Sequence, residues 1–263
     1  MAKDGNGDTK GSNATRVQVV ERAIDILGVL AKGRATLSEV TRDVGLPKGT
    51  TFRILGALQY EKLVVKDPVD SSYSLGPGFL RLSQTQTPWF GALTILAEPA
   101  MSKLLEKTRE TVSLHVRVGS ERICVAELPS PHQIRYSAEV GTLVPLYIGA
   151  AGKVLLAQLD RAALARMLGA LELAPITDDT IHDRGELEAA VEKTREDGYA
   201  QSLGERVASA AAISVPIDLD SHFGASLSLL GPADRFTEEV RLGRLADLLA
   251  AAKEIAAAAG GSL

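Results

Sequence analysis

Cysteine occurs once in the 263 residues, at Cys124. No intrachain disulfide can form, which suits a reducing cytoplasm. Aromatic residues make up only 4%, so the core must be built from Leu, Val, Ile and Ala. No run of about 18 apolar residues interrupts the chain, which leaves no helical membrane span. The polar, Gly-rich opening MAKDGNGDTKGSN has no apolar signal-peptide segment. The expectation is a cytoplasmic protein with a disordered arm over residues 1–15.

Catalytic constellations are also missing. His115, His132, His182 and His222 are scattered, with no H-x-x-x-H and no C-x-x-C pattern, so no metal site is expected. Cys124 sits in the apolar run RICVAEL and reads as a core residue. No G-x-S-x-G elbow is present. GAAGK contains Gly-Lys but fails the phosphate-loop pattern, because position 147 is Tyr and position 154 is Val. The paired acids Asp178 and Asp179 lie in a turn-like TDDT and read as a solvated loop or a cap. No acid, base and nucleophile assemble. Neither an enzyme nor a cofactor is expected, although a DNA-tethered enzyme stands as the alternative function.

What the sequence does contain is concentrated in VGLPKGTTFRILGAL, residues 44–58. A helix opening on Lys, Thr and Thr runs against the usual preference for acids in a first turn. It suits a helix that meets phosphates. Residues 1–86 carry 12 Lys and Arg against 9 Asp and Glu, whereas the rest of the acidic chain carries 17 against 24. A basic front on an acidic body fits a local polyanion contact.

Around that stretch the spacing predicts three helices. In RVQVVERAIDILGVLAKG the stripe Val17, Val20, Ile24, Leu27 and Leu30 is expected to face inward. Thr36 and Glu39 have capping-box spacing, with Gly45 as the stop. The third helix covers about 47–60, with Phe52, Leu55 and Leu58 inward and Lys48, Thr50, Thr51 and Arg53 outward. KLVVKDPVDSSYSLG then reads as a hairpin carrying Lys62 and Lys66. Helix, helix, tight turn, helix and hairpin make a winged helix-turn-helix over residues 16–76. The expected DNA contacts are Lys48, Thr50, Thr51, Arg53, Lys62 and Lys66.

Residues 77–90 read as a linker helix ending at Pro88. Trp89 and Phe90 either dock the linker or join a dimer seam. Residues 91–263 alternate helical and strand-like segments, including strands at TVSLHVRV, RICVAEL, QIRYSAEV, YAQSL, AAISVPID and GASLSLLG. One closing helix is expected over FTEEVRLGRLADLLAAAKEIAAAA. The fold class is α+β, with a sandwich-like sensor domain. The small residues of GAAGK at a helix start either leave N–H groups open to an anion or permit close packing.

These segments, from RVQVVERAIDILGVL through GAAGKVLLA to GYAQSLGERVASAAAISVPI, resemble the IclR family of bacterial transcriptional regulators. Gly198, Ser202, Glu205, Ala212, Ile213, Ser214 and Ile217 fall at the spacings of that family's effector-domain signature. Asp218 and Leu219 depart from its usual ending. The resemblance implies a winged helix-turn-helix, a linker helix and a GAF-like effector domain. It implies a homodimer or homotetramer on a roughly palindromic double-stranded operator, and a small-molecule effector. Carried over by position, it implies an effector site at Tyr136, Ala150, Ala151, Ser202, Glu205, Ala212, Ser228 and Leu230. Glu205 contacts the effector or holds the fold, by capping or by pairing with Arg135. In keto-acid-responsive members the helix start at Ala150 and Ala151 holds the carboxylate. Ser202, Ala212 and Leu230 lack polar groups found there, which points to a more apolar effector such as an aromatic acid, with Tyr136 as a wall.

Overall fold

A computed structural model describes residues 17–83, 88–219 and 224–260. The expected disordered arm and His222 lie outside the described residues. The chain divides between Pro88 and Trp89 into two compact units.

The first unit runs α1 (Gln18–Ala31), α2 (Leu37–Val44), α3 (Lys48–Tyr60), β1 (Val64–Lys66), β2 (Tyr73–Leu75) and α4 (Gly78–Ser83). Thr36 opens α2 with a complete capping box: its side chain accepts from the Glu39 N–H, and the Glu39 carboxylate accepts from the Thr36 N–H at 2.7 Å. Gly45 closes α2 at φ 65°, a left-handed position that glycine takes without strain. Pro47 then caps α3 from outside rather than occupying its first turn. β1 and β2 pair antiparallel as the expected hairpin. Ile26, Leu30, Val40, Leu55, Val64 and Tyr73 form the core.

Two faces are rotated from their predicted positions. On α1, Val17, Val20 and Ile24 are each more than half exposed, and the core takes the neighbouring face through Ile26 and Leu30. On α3, Phe52 is 56% exposed and Thr51 is fully buried. Thr51 can enter the core because its hydroxyl donates back to the Pro47 carbonyl, one turn earlier, at 3.3 Å. Thr51 is therefore not a DNA contact. Thr51→Val, which keeps the shape and drops the hydroxyl, is expected to change stability by no more than about 1 kcal/mol. It should leave DNA affinity intact in a gel-shift assay; a large loss would return Thr51 to the outward face.

In the second unit, α5 (Pro88–Thr108) precedes the hairpin of β3 (Thr111–Val118) and β4 (Glu121–Leu128), followed by β5 (Leu143–Pro145). Next come α6 (Gly149–Ala157), α7 (Arg161–Ala170) and α8 (Arg184–Asp197). The strands β6 (Ala200–Leu203), β7 (Ala210–Ile217) and β8 (Ala225–Pro232) follow, then α9 (Glu238–Gly243) and α10 (Leu245–Gly260). Six strands form one antiparallel sheet in the order β5-β4-β3-β8-β7-β6. Pro88 opens α5 instead of ending the linker helix, so Trp89 and Phe90 fall in that helix's first turn. Their side chains, and with them the docking and seam alternatives, lie outside the described residues. The closing segment is broken at Arg244 into α9 and α10 rather than forming one helix.

Strand alternation sorts the sheet into two faces. Val112, Leu114, Val116, Ile213, Leu227 and Leu229 pack on α5 and α10 in the larger core. The other face carries Ser113, His115, Ser214 and Ser228, and α6 lies on that side of β6, β7 and β8. The segment QIRYSAEV forms no strand. It crosses as a strap whose backbone is held by side chains: Thr111 Oγ1 donates to the Tyr136 carbonyl at 2.8 Å, and the Glu127 carboxylate accepts from the N–H groups of Ala138 and Glu139. The Arg235 guanidinium, paired with Glu110, donates to the Ile134 carbonyl at 2.9 Å. With its N–H and C=O groups so engaged, the segment needs no neighbouring strand.

Candidate functional site

In the first unit, the outward face of α3 lies opposite Thr51, Ile54, Leu55 and Leu58. At 3.6 residues per turn that face is Gly49, Arg53, Gly56 and Tyr60. Arg53 stands between two exposed glycines, Gly49 and Gly56, each with open space where a side chain would begin. Each glycine costs the helix about 1 kcal/mol relative to alanine, a sacrifice that leaves the helix surface low beside the guanidinium. Lys48 is exposed at the first position of α3, and Thr50 is half-buried on its flank. Lys62 and Lys66 are exposed on the hairpin, and the Lys66 ammonium lies 5.6 Å from the centre of the Tyr73 ring. Phe52, which the sequence reading placed inside, flanks this face.

In the second unit, the sheet, the strap and α6 line a partly open cavity of about 290 Å³. All eight positions expected from the family resemblance line it: Tyr136, Ala150, Ala151, Ser202, Glu205, Ala212, Ser228 and Leu230. The hydroxyl of Tyr136 is already engaged with that of Ser209, a short contact that ties the strap to the loop before β7.

Glu205 is buried and committed. Its Oε2 accepts from the Gly149 N–H at 2.8 Å, and its Oε1 meets the Lys153 ammonium at 2.5 Å. It does not pair with Arg135, whose Nη1 donates to the His132 carbonyl. The first N–H of α6 is thus occupied from within the protein. The spacing of GAAGK also has a packing cause. A Cβ at position 152 would lie 2.0 Å from the Leu146 carbonyl oxygen, so Gly152 permits the close approach of α6 to that chain.

Sequence reasoning named Ser228 as a site residue but missed the polar side chains around it, Ser113, His115, Arg122 and Ser214. Ser113 on β3, Ser228 on β8 and Ser214 on β7 sit opposite one another across three strands, and Ser214 and Ser228 are hydrogen-bonded at 2.7 Å. Arg122 reaches the same face because β4 bulges: Leu114 pairs with Ala126 but His115 pairs with Cys124, leaving Val125 as the extra residue. The Arg122 Nη1 is 3.3 Å from His115 Nδ1. Arginine can only donate, so His115 Nδ1 accepts and Nε2 carries the proton, donated to Ser113 Oγ at 3.0 Å. His115 is held neutral, its pKa driven well below the usual value first by burial and then by the charges of Arg122 and Arg206. A signal was available in the alternation of Thr111, Ser113 and His115 with valines and leucine, which marks a polar face opposite an apolar one.

Cys124 is buried, with Sγ 3.4 Å from the Ala126 carbonyl. Burial, and then the nearby Glu127 charge, push its thiol up to about 12. Only the thiolate reacts with disulfide reagents. Labelling by such a reagent near neutral pH is therefore expected only after unfolding; rapid labelling of the native chain would contradict a core role. Among the described residues no cluster of His, Cys, Asp or Glu is arranged to hold a metal ion. No helix among them is long and apolar enough to cross a membrane.

A winged helix-turn-helix followed by a sheet domain with a partly open pocket is the arrangement of a DNA-binding regulator with an effector-binding domain. Comparison with known proteins agrees. A family model described as the IclR helix-turn-helix domain matches residues 19–68, and one described as bacterial transcriptional regulator IclR C-terminal matches residues 92–257. The chain belongs to the IclR family, whose members are transcriptional regulators rather than enzymes. It is 33% identical over 222 residues to the HTH-type transcriptional regulator Rv1719 of Mycobacterium tuberculosis, covering 84% of each chain. Its structure is similar to that of Thermotoga maritima IclR, with TM-score 0.74, 26% identity, and coverage of 92% and 99% of the two chains. It also shares the fold of an IclR homolog from Microbacterium hydrocarbonoxydans complexed with 4-hydroxybenzoate, at TM-score 0.72 and 22% identity over 93% and 100% of the chains.

Proposed function

We propose that this cytoplasmic regulator controls a catabolic operon, and that a small organic or aromatic acid in the second unit's cavity modulates its hold on the operator. The observation that carries the reading is the cavity itself. All the positions implied by the family line it, and it adds Arg122, Arg135 and Arg206 against the acids Glu139 and Glu205, the latter already paired. A surplus of positive charge selects an anionic guest.

Two copies would bind a roughly palindromic site, because one α3 reads one half-site. The exposed stripe Val17, Val20 and Ile24 supports pairing through the first unit, since a continuous apolar face is costly to leave in water. A homotetramer would require a further interface. Lys48, Thr50, Arg53, Lys62 and Lys66 are the assigned DNA contacts. The test is footprinting on DNA flanking the chain's own gene, with and without benzoate and pyruvate. Protection of a symmetric site that changes with one acid is the expected result. Protection indifferent to every acid, while the acids bind the protein, would overturn the reading.

A further inference from the structure

Arg122 is a buried cation with no ion pair among the described residues. It is 6% exposed, and its Nε–H has no acceptor among the described residues. Its two other contacts are long, to His115 Nδ1 at 3.3 Å and to the Ile148 carbonyl at 3.4 Å, and both partners are neutral. Its pKa is lowered to about 10, mainly by burial and next by the charge of Arg206. Arg206 lines the same cavity, is half-buried, and has no ion pair among the described residues. The one buried carboxylate nearby, Glu205, is spent on Lys153 and the Gly149 N–H. A buried guanidinium beside a second one, with the nearby Glu205 carboxylate already bonded to Lys153, is a costly arrangement unless an anion completes it.

We propose that Arg122 and Arg206 form the acid-binding subsite of this cavity, and that the effector's carboxylate docks there rather than on the start of α6. This rests on the effector-cavity reading above and names the chemistry of its ligand. At the start of α6 the Glu205 carboxylate already occupies the first N–H, whereas the two guanidiniums keep donors with no acceptor among the described residues. The guanidiniums offer the planar donors that match a carboxylate. His115 is the positioning residue. By accepting from Arg122 it turns its own proton toward Ser113, which leaves the Ser113 hydroxyl hydrogen free for the ligand. Ser113, Ser214 and Ser228 then form a hydroxyl row on the cavity floor, suited to a second oxygen of the guest. Ala150, Ala151, Ala212 and Leu230 supply the apolar walls between. The ligand class is a compact carboxylic acid with an apolar body and a hydroxyl or carbonyl away from the acid.

The test is calorimetric titration of the full chain with 4-hydroxybenzoate and benzoate, and with their uncharged amides. The native protein should bind an acid and reject the corresponding amide. Arg206→Gln, at a half-buried position with no ion pair to lose among the described residues and with its fold checked by circular dichroism, should weaken acid binding at least about tenfold. Arg122→Gln, with its fold checked by circular dichroism and by unliganded operator binding, should weaken it at least about thirtyfold and erase the preference for acid over amide. Arg122→Lys should recover part of the preference, as a structural role would not. If both glutamine variants keep the native preference while Ala151→Phe, which fills the cavity, abolishes binding, the two-arginine subsite is wrong and the cavity reading survives. If Ala151→Phe leaves binding intact, the cavity reading fails as well. Absence of binding by all four compounds to the native chain removes this ligand class and the proposal with it.

Discussion

Arg53→Ala is expected to weaken specific operator binding by about 10- to 100-fold, the discrimination of one good base contact. The unfolding transition should stay where it is, because Arg53 is exposed and α3 is anchored from its other side by Thr51, Ile54, Leu55 and Leu58. The expectation is strong for a geometric reason. Gly49 and Gly56 lie on the same face one turn either side, so the helix surface is low on both sides of the guanidinium along that face. A base contact also differs from a phosphate contact in its sequence dependence. Arg53→Ala should cost much more on the operator than on unrelated DNA, whereas Lys48→Ala should weaken both alike. Gel shifts on the two DNAs decide the matter, and equal binding of Arg53→Ala and the native chain to the operator would reject the assignment.

The DNA half of the molecule was largely legible because its signals are local. The Thr36–Glu39 capping box, the Gly45 stop and the β1–β2 hairpin each depend on residues a few positions apart. The errors arose where periodicity shows that a face exists but not what covers it. Val17, Val20 and Ile24 do form an apolar stripe, yet the unit's own core closes on Ile26 and Leu30 instead. On α3, polarity misassigned two neighbours. Thr51 satisfies its hydroxyl within the helix and enters the core, and Phe52 is left outside.

The cavity was legible by a different route. Its walls at Ala150, Ala151, Ala212 and Leu230 were reached through family positions, and those residues do converge. Its charge was not legible, since Arg122 faces the cavity only because of the bulge at Val125, which no spacing in RICVAEL announces. The strap failed as a strand for a related reason. Its alternation is strand-like, but the groups that engage its backbone come from Glu127, Thr111 and Arg235, two of them distant in sequence.

Glu205→Ala is expected to destabilise the second unit by about 3–5 kcal/mol, the usual cost of removing one partner from a buried ion pair. Two losses combine. The Lys153 ammonium, only 7% exposed, is left without its carboxylate, and the Gly149 N–H loses its acceptor at the start of α6. Glu205→Gln separates the two, since its carbonyl can still accept from Gly149 while the Lys153 charge stays uncompensated. It should fall between the native chain and Glu205→Ala. Adding Lys153→Met to either variant removes the stranded charge and should recover more than half of the loss, because a buried pair replaced by apolar groups is often close to neutral. Chemical denaturation of the native chain and the four variants, followed by tryptophan-independent far-ultraviolet dichroism, measures each step. Recovery in the double variants would show that the stranded ammonium causes most of the loss. A Glu205→Ala chain as stable as the native one would mean that the carboxylate is held for the effector rather than for the fold. The same series bears on binding: if Glu205 acts only by filling the start of α6, Glu205→Gln should leave the affinity for an acid anchored on Arg122 within about threefold, whereas an effector seated on α6 would gain more from losing the competing charge.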